Sequence, residues 1–266
     1  MLSEINSDII NTIIQGETIE EMKRIADSSV DMILADLPYG TTACKWDTII
    51  PFEPLWAEYE RVIKPNGAIV LTASQPFTSA LVMSNPGLFR YAWVWEKSKC
   101  GNFQIARYQP LKYTEDVLVF SKKRHNYYPI MREASPATVS RRKYTFKGEA
   151  SEIGFNHMSS GKYVYSEKEF SGKINPSNLI KFKSEFGLHP TQKPIALFEY
   201  LIRTYTNEGE LVLDNVIGSG TTAVAAINTG RQFIGIEREE EYVNIARERV
   251  EQAYAERAKT EVMSND

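Results

Sequence analysis

The chain is poor in cysteine and histidine and has no long apolar run. Two cysteines in 266 residues, Cys44 and Cys100, exclude a disulfide scaffold. They lie too far apart to form a zinc-type pair and read as free thiols of a reducing compartment. Three scattered histidines, His125, His157 and His189, do not build a histidine-rich metal site, so no metal is expected. No stretch of about 18 apolar residues is present, which excludes a membrane-spanning helix. The N-terminal MLSEINSDII lacks the basic segment and apolar core of a secretory signal, so a cytoplasmic protein is expected. Charge of one sign is not in excess either: 31 Lys and Arg against 34 Asp and Glu leave a net −3, which by itself offers nothing to a polyanion.

What is present is enough apolar material, 42% of residues, for one full core of the α/β size class, or for one domain plus a substantial insertion. The charge, small in total, is unevenly placed. Residues 122–188 hold 13 Lys and Arg against 6 Asp and Glu, a local +7, and the rest of the chain carries −10. A solvated surface can produce such enrichment. Here aromatic residues including Tyr127, Tyr128, Tyr144, Phe155 and Tyr163 interleave with the cations, a mixture that can pair with phosphates and stack on bases.

On both sides of this segment, apolar β-branched runs alternate with amphipathic stretches. The pattern predicts strands at 9–14, 29–36, 68–73, 88–96, 115–121, 210–214 and 232–237. Helices are predicted at 18–26, 51–63, 75–83, 194–205, 221–228 and 241–258. The alternation implies an α/β fold, a doubly wound, mostly parallel sheet with helices on both faces. Its body comprises residues 1–121 and 189–266, and residues 122–188 are an insertion.

Two constellations carry chemistry. In the first, the strand Leu211-Val-Leu-Asp214 turns through Gly218-Ser219-Gly220 into a helix opening Thr221-Thr222, leaving backbone N–H groups aimed at a ligand. The next strand ends at Glu237, whose carboxylate can meet ribose hydroxyls in the same crevice. Ligand-free turns of this shape are common, but strand, helix and second acid in register favour a nucleotide-type cofactor. The second constellation, Asp36-Leu37-Pro38-Tyr39, ends another buried strand. Asp and Pro are ordinary turn residues. The specific feature is the combination, within four residues, of a carboxylate, a carbonyl held before Pro38 and an aromatic face.

Asp36-Leu-Pro-Tyr39 resembles the Asp-Pro-Pro-Tyr motif of DNA amino-methyltransferases, and Gly218-Ser-Gly220-Thr-Thr resembles their S-adenosylmethionine-binding motif. The order also fits the family's permuted β class: catalytic motif first, target-recognition segment in the middle, cofactor motif last. Gly16-Glu17, Lys45-Trp46-Asp47, Lys64-Pro65-Asn66-Gly67, Trp95-Glu96-Lys97 and His189-Pro190-Thr191-Gln192-Lys193-Pro194 add matches. Together the likeness covers residues 9–121 and 186–257. Two positions depart from it. Leu37 replaces the motif's first proline but keeps a carbonyl, and Val216 replaces a frequent Phe, removing an aromatic wall from the cofactor pocket.

The resemblance implies a Rossmann-like methyltransferase sheet with an inserted target-recognition segment. The implied activity is methyl transfer from S-adenosylmethionine to the N6 amine of adenine in double-stranded DNA, at a specific sequence. Asp at the motif's first position favours adenine; cytosine N4 is the alternative. A catalytically silent DNA-binding protein on the same scaffold is a third reading, opposed by the intact Asp36, Tyr39 and glycines. Asp36 and the Leu37 carbonyl, fixed by Pro38, would accept hydrogen bonds from the amine's two protons and offset its developing charge. Tyr39 would stack on a base swung out of the duplex. The implied cofactor residues are Asp36, Asp214, Gly218, Ser219, Gly220, Thr221 and Thr222, with Glu237 at the ribose and Glu17 on the adenine side. Thr191 and Lys193 are assigned to the methionine carboxylate, with a helix cap and a solvated charge as the plain alternatives. Lys122-Lys123-Arg124 and Arg141-Arg142-Lys143 are the expected phosphate contacts. A homodimer is expected by analogy alone, and no restriction endonuclease partner is deducible.

Overall fold

The computed structural model describes residues 8–40, 48–142, 144–145, 166–167, 172–185 and 192–263. In chain order the first elements are β1 (Thr12–Gln15), α1 (Thr18–Met22), β2 (Val30–Ala35), α2 (Phe52–Val62), β3 (Ile63–Ala73), α3 (Phe77–Ser84), β4 (Phe89–Lys97) and β5 (Thr114–Phe120). Short elements follow: β6 (Arg132–Glu133), α4 (Pro136–Arg142), β7 (Tyr144–Thr145), β8 (Ser166–Glu167) and β9 (Lys173–Ile174). The chain then forms β10 (Leu179–Phe182), α5 (Ile195–Tyr205), β11 (Leu211–Asp214), α6 (Thr221–Asn228), β12 (Gln232–Glu237) and α7 (Glu240–Met263).

Eight strands form one sheet in the order β1-β12-β11-β2-β3-β5-β4-β10. All its pairings are parallel except those of β5, which runs antiparallel to both β3 and β4. The expected doubly wound, mostly parallel sheet is present. Period-2 alternation along its strands feeds two cores. Met32 and Leu34 of β2 face Leu197, Phe198 and Leu201 of α5 and the alanines of α6, whereas Ile33 and Ala35 face Leu55 and Tyr59 of α2 and Phe77 of α3. Burial on both faces explains why the central strands read as unbroken apolar runs. α6 is enclosed on all sides, and Ala223, Ala225 and Ala226 let its neighbours approach closely.

Several element bounds differ from the expectation: β3 begins at Ile63 rather than at 68, and α7 runs to Met263 rather than ending near 258. The first strand starts at Thr12, because Asn11 takes a positive φ of 60° and Ile9 turns inward. The helix from Thr18 ends at Met22, where i→i−3 bonds from Lys23, Arg24 and Ile25 tighten the chain. The sheet's last strand, β10, lies inside the segment read as an insertion. The chain divides into one unit of residues 1–128 and 178–266 and a second of residues 129–177. Within the second, β6 pairs with β9 and β7 with β8, both antiparallel. Among the described residues no helix is long and apolar enough to cross a membrane.

From β11 the chain winds through α6 to β12, and from β2 through α2 to β3 on the other side. The topology therefore reverses between β11 and β2. Ligands in such sheets bind outside the carboxyl ends of the strands at that reversal, which is where Asp214 and Asp36 emerge.

Candidate active site

A cavity of about 680 Å³ opens at this reversal. Asp36 to Tyr39 line one part of it, and Asp214, Asn215, Gly218 and Glu237 line another. The two constellations, nearly 200 residues apart in sequence, thus face one space.

Asp36 directly follows β2, and both oxygens of its carboxylate are hydrogen-bonded. Oδ1 accepts from the Tyr39 hydroxyl at 2.8 Å and from the Thr72 hydroxyl. Oδ2 accepts from Lys193 Nζ at 2.6 Å. That ammonium is buried and also lies 3.6 Å from Glu115 Oε2, while Lys97 Nζ lies 2.8 Å from Glu115 Oε1. The result is an alternating chain of charge, Asp36, Lys193, Glu115 and Lys97, assembled from four elements. Burial works against the Lys193 charge, but Asp36 and Glu115 outweigh it and hold the ammonium above the usual lysine range. Burial likewise opposes ionisation of Glu115, and Lys193 and Lys97 reverse the balance, holding its carboxyl below the usual range. For Tyr39, burial and then the nearby Asp36 and Glu115 push the phenol well above its ordinary value, so it serves as a donor. Its ring stacks on Phe77 with centroids 5.1 Å apart.

At the other constellation, Gly218 and Gly220 adopt φ of +52° and +88°. A Cβ at Gly220 would stand 3.0 Å from Ala246 of α7, so both conformation and space require glycine there. Glu237 Oε2 accepts from the Gly218 N–H at 2.9 Å and Oε1 from the Glu239 N–H at 2.9 Å. Burial raises its pKa. Asp214, almost wholly buried, accepts from the Thr222 hydroxyl and from the Val216 N–H at 3.1 Å, and burial lifts its carboxyl to about 7. Asp214 and Thr222 thus hold the turn, and Ser219 is engaged from behind by Arg249. Thr18 fastens the start of α1, and with it Glu17, to the Asn215 carbonyl at 2.7 Å. Among the described residues the buried Asn215 Nδ2 has no hydrogen-bond partner, and Asn215 is a lining residue of the cavity. A buried donor left over at a cavity wall fits a polar ligand.

Lys193, assigned to the methionine carboxylate with a solvated charge as the alternative, lines the cavity but is buried and its ammonium meets Asp36, so it is not a solvated charge. Lys122 is bonded within the protein. β5 is antiparallel, so Lys122-Lys123-Arg124 leave the sheet at the end opposite Asp36, where Lys122 Nζ donates to the carbonyls of Glu60 and Ile63 at 2.8 and 3.2 Å. Arg141 and Arg142 end α4 in the second unit. Lys143, Thr191, His189 and Lys45-Trp46-Asp47 lie outside the described residues. Thr72, Glu115 and Asn215 were not singled out from the sequence. For Thr72 the signal was a lone hydroxyl within the apolar run 68–73, and for Glu115 an acid opening an apolar strand.

Comparison with known proteins agrees with this geometry. The family model N6_N4_Mtase, described as DNA methylase, matches residues 30–248. The chain is 30% identical to the DNA adenine methyltransferase YhdJ of Escherichia coli (strain K12), over 91% of this chain and 83% of that protein. It is 28% identical to the Type II methyltransferase M.HpaI of Haemophilus parainfluenzae, over 91% of this chain and 74% of the relative. Among solved structures, the M1.HpyAVI–SAM complex superposes with a TM-score of 0.59 at 26% identity, covering 90% of this chain and 98% of the other. With a family model spanning most of its length and the two motif sites meeting in one cavity, the chain belongs to the DNA methylase family and is a DNA methyltransferase.

Proposed function

We propose that the protein transfers the methyl group of S-adenosylmethionine to the N6 amine of adenine in double-stranded DNA, at a specific sequence. The observation that carries this reading is the meeting of the Asp36 turn and the Gly218–Glu237 turn in one cavity. S-adenosylmethionine, when bound, supplies an electrophilic methyl group. Glu237 would hold the ribose hydroxyls, the Gly218–Gly220 backbone would take the cofactor's edge, and Asn215 Nδ2 offers a further donor. An exocyclic amine is a poor nucleophile because its lone pair is conjugated into the ring. Asp36 and the Leu37 carbonyl accept hydrogen bonds from its two N–H groups, favouring a tetrahedral nitrogen and offsetting the positive charge that develops on it. Thr72 and Lys193 hold the Asp36 carboxylate in place, so the acceleration comes from positioning and preorganised charge. Tyr39, backed by Phe77, offers its ring to the displaced base. Residues 122–188, which include the 129–177 unit with Arg141 and Arg142, are the part assigned to target recognition.

The test is mass analysis of nucleosides from plasmid DNA incubated with the protein and S-adenosylmethionine. N6-methyladenine is the expected product. N4-methylcytosine would replace adenine as the target, and unmodified nucleosides would overturn the reading.

A further inference from the structure

We infer that the loop joining β4 to β5, residues 98–113, is a DNA wedge, with Phe103 and Tyr108 entering the duplex at the gap left by the displaced base. The inference rests on the function proposed above and deepens it by naming a surface that meets DNA. β4 and β5 are paired up to Glu96 and Thr114, and Asp116 of β5 lies opposite Ala73, the last residue of β3. The loop therefore rises from the end of the sheet that carries Asp36. Its inner side borders the active-site cavity through Lys99, Cys100, Gly101, Asn102 and Lys112.

The outer side is unusual for a surface loop. Phe103 is 66% exposed and Tyr108 87%, with Ile105 and Leu111 exposed beside them. A concentration of large apolar side chains on a surface marks a contact site. These residues are held outward on a built frame. Asn102 Oδ1 accepts from the Lys112 N–H at 2.7 Å, and Asn102 Nδ2 donates to the Pro110 carbonyl at 3.0 Å. The Gly101 N–H donates to the Lys112 carbonyl at 3.2 Å, closing the neck, and Phe103–Ile105 form a 3₁₀ turn at the tip.

Charge identifies the occupant. Residues 98–113 carry Lys99, Arg107 and Lys112 and no carboxylate, although the chain outside residues 122–188 sums to −10. A second copy of the same patch, packed two-fold upon it, would bring like charges together. A nucleic acid presents phosphates to the cations and bases to the rings. Apolar side chains wedge between unstacked base steps in other DNA-binding proteins, a base taken out of the stack leaves such an opening, and adjacency to the cavity puts these rings beside it.

The test is methyl incorporation into plasmid DNA from a methylation-deficient host, comparing the parent with the double variant Phe103→Ala, Tyr108→Ala and with Phe103→Trp. Each lost base–aromatic stack should cost about tenfold in kcat/KM for DNA, with Phe103→Trp near the parent. S-adenosylmethionine affinity, read by calorimetry, and molar mass, read by light scattering, should not change. Equal kcat/KM in the double variant and an active parent would overturn the wedge alone. A fall in molar mass would overturn it in favour of a contact between copies. An inactive parent would overturn the proposed function, and the wedge with it.

Discussion

Replacing Lys193 by Met separates two roles this residue could play. The sequence resemblance assigns it to the carboxylate of the cofactor, whereas the structure sets its Nζ 2.6 Å from Asp36 Oδ2 and 3.6 Å from Glu115 Oε2. At an effective dielectric of about 20 the nearer contact alone is a gross attraction of about 6 kcal/mol, most of which offsets the desolvation of the ammonium. Removing one partner of a fully buried pair costs about 3–5 kcal/mol; Lys97 still faces Glu115 and Asp36 keeps some solvent contact, so about 2–3 kcal/mol of folding stability should be lost. The catalytic consequence should be larger. A carboxylate released to move by about 1 Å loses on the order of 10²-fold in rate. The assay is paired: calorimetric titration with S-adenosylmethionine, and kcat on plasmid DNA at saturating cofactor. The account predicts a fall in kcat of about 10²-fold with the cofactor Kd changed by less than about threefold. A Kd raised about tenfold or more with kcat near the parent would show that Lys193 serves the cofactor, and the positioning argument would be refuted.

Asp214→Asn should change how stability depends on pH. The Asp214 carboxyl is lifted by burial to about 7, so the folded state holds its proton where the unfolded chain has released it, and stability falls as pH rises from about 4 to about 7. The asparagine variant should flatten that slope and gain about 2–4 kcal/mol at pH 8 relative to the parent, read from urea midpoints; an unchanged slope counts against a protonated Asp214. Gly220→Ala should cost about 2–4 kcal/mol, combining a left-handed backbone with the 3.0 Å approach to Ala246, and should abolish cofactor binding; a parent-like melting temperature would disprove the packing argument. In the core, the Tyr205 hydroxyl accepts from Trp93 Nε1 at 2.6 Å and pairs with the Tyr91 hydroxyl at 3.0 Å. Tyr205→Phe strands Trp93 Nε1, whereas the Tyr91 hydroxyl keeps His125 Nε2 at 2.9 Å, and should cost about 1–3 kcal/mol in urea denaturation; no loss would mean that the indole finds another partner.

Much of the fold was legible because local signals and tertiary packing agree. α6 and β12 fall where the glycine turn and the following apolar run put them, since Gly220 must be left-handed and both elements are buried except at their ends. Asp36 and Glu237 were legible for a related reason: Asp36 directly follows the buried strand β2, and Glu237 is the last residue of β12. β10 was not, because Leu179-Ile-Lys-Phe182 buries only Ile180 and sits among lysines, and its strand character comes from pairing with β4. Local pattern carries no trace of a partner more than 80 residues away. The same holds for the ion pair of Lys193, which meets Asp36 across 157 residues and which its motif context did not announce. Net charge, read as a total, was uninformative, and its distribution was not enough for Lys122, since the direction of β5 decides which end of the sheet that cation reaches.

The central claim is that Asp36 activates an adenine amine in DNA. It is tested most directly by sequencing, with detection of modified bases, chromosomal DNA from cells expressing the protein or its Asp36→Ala variant. The account predicts N6-methyladenine at one recurrent short sequence with the parent and none with the variant. Unmodified adenines with the parent, or the same methylation pattern with the variant, would contradict it.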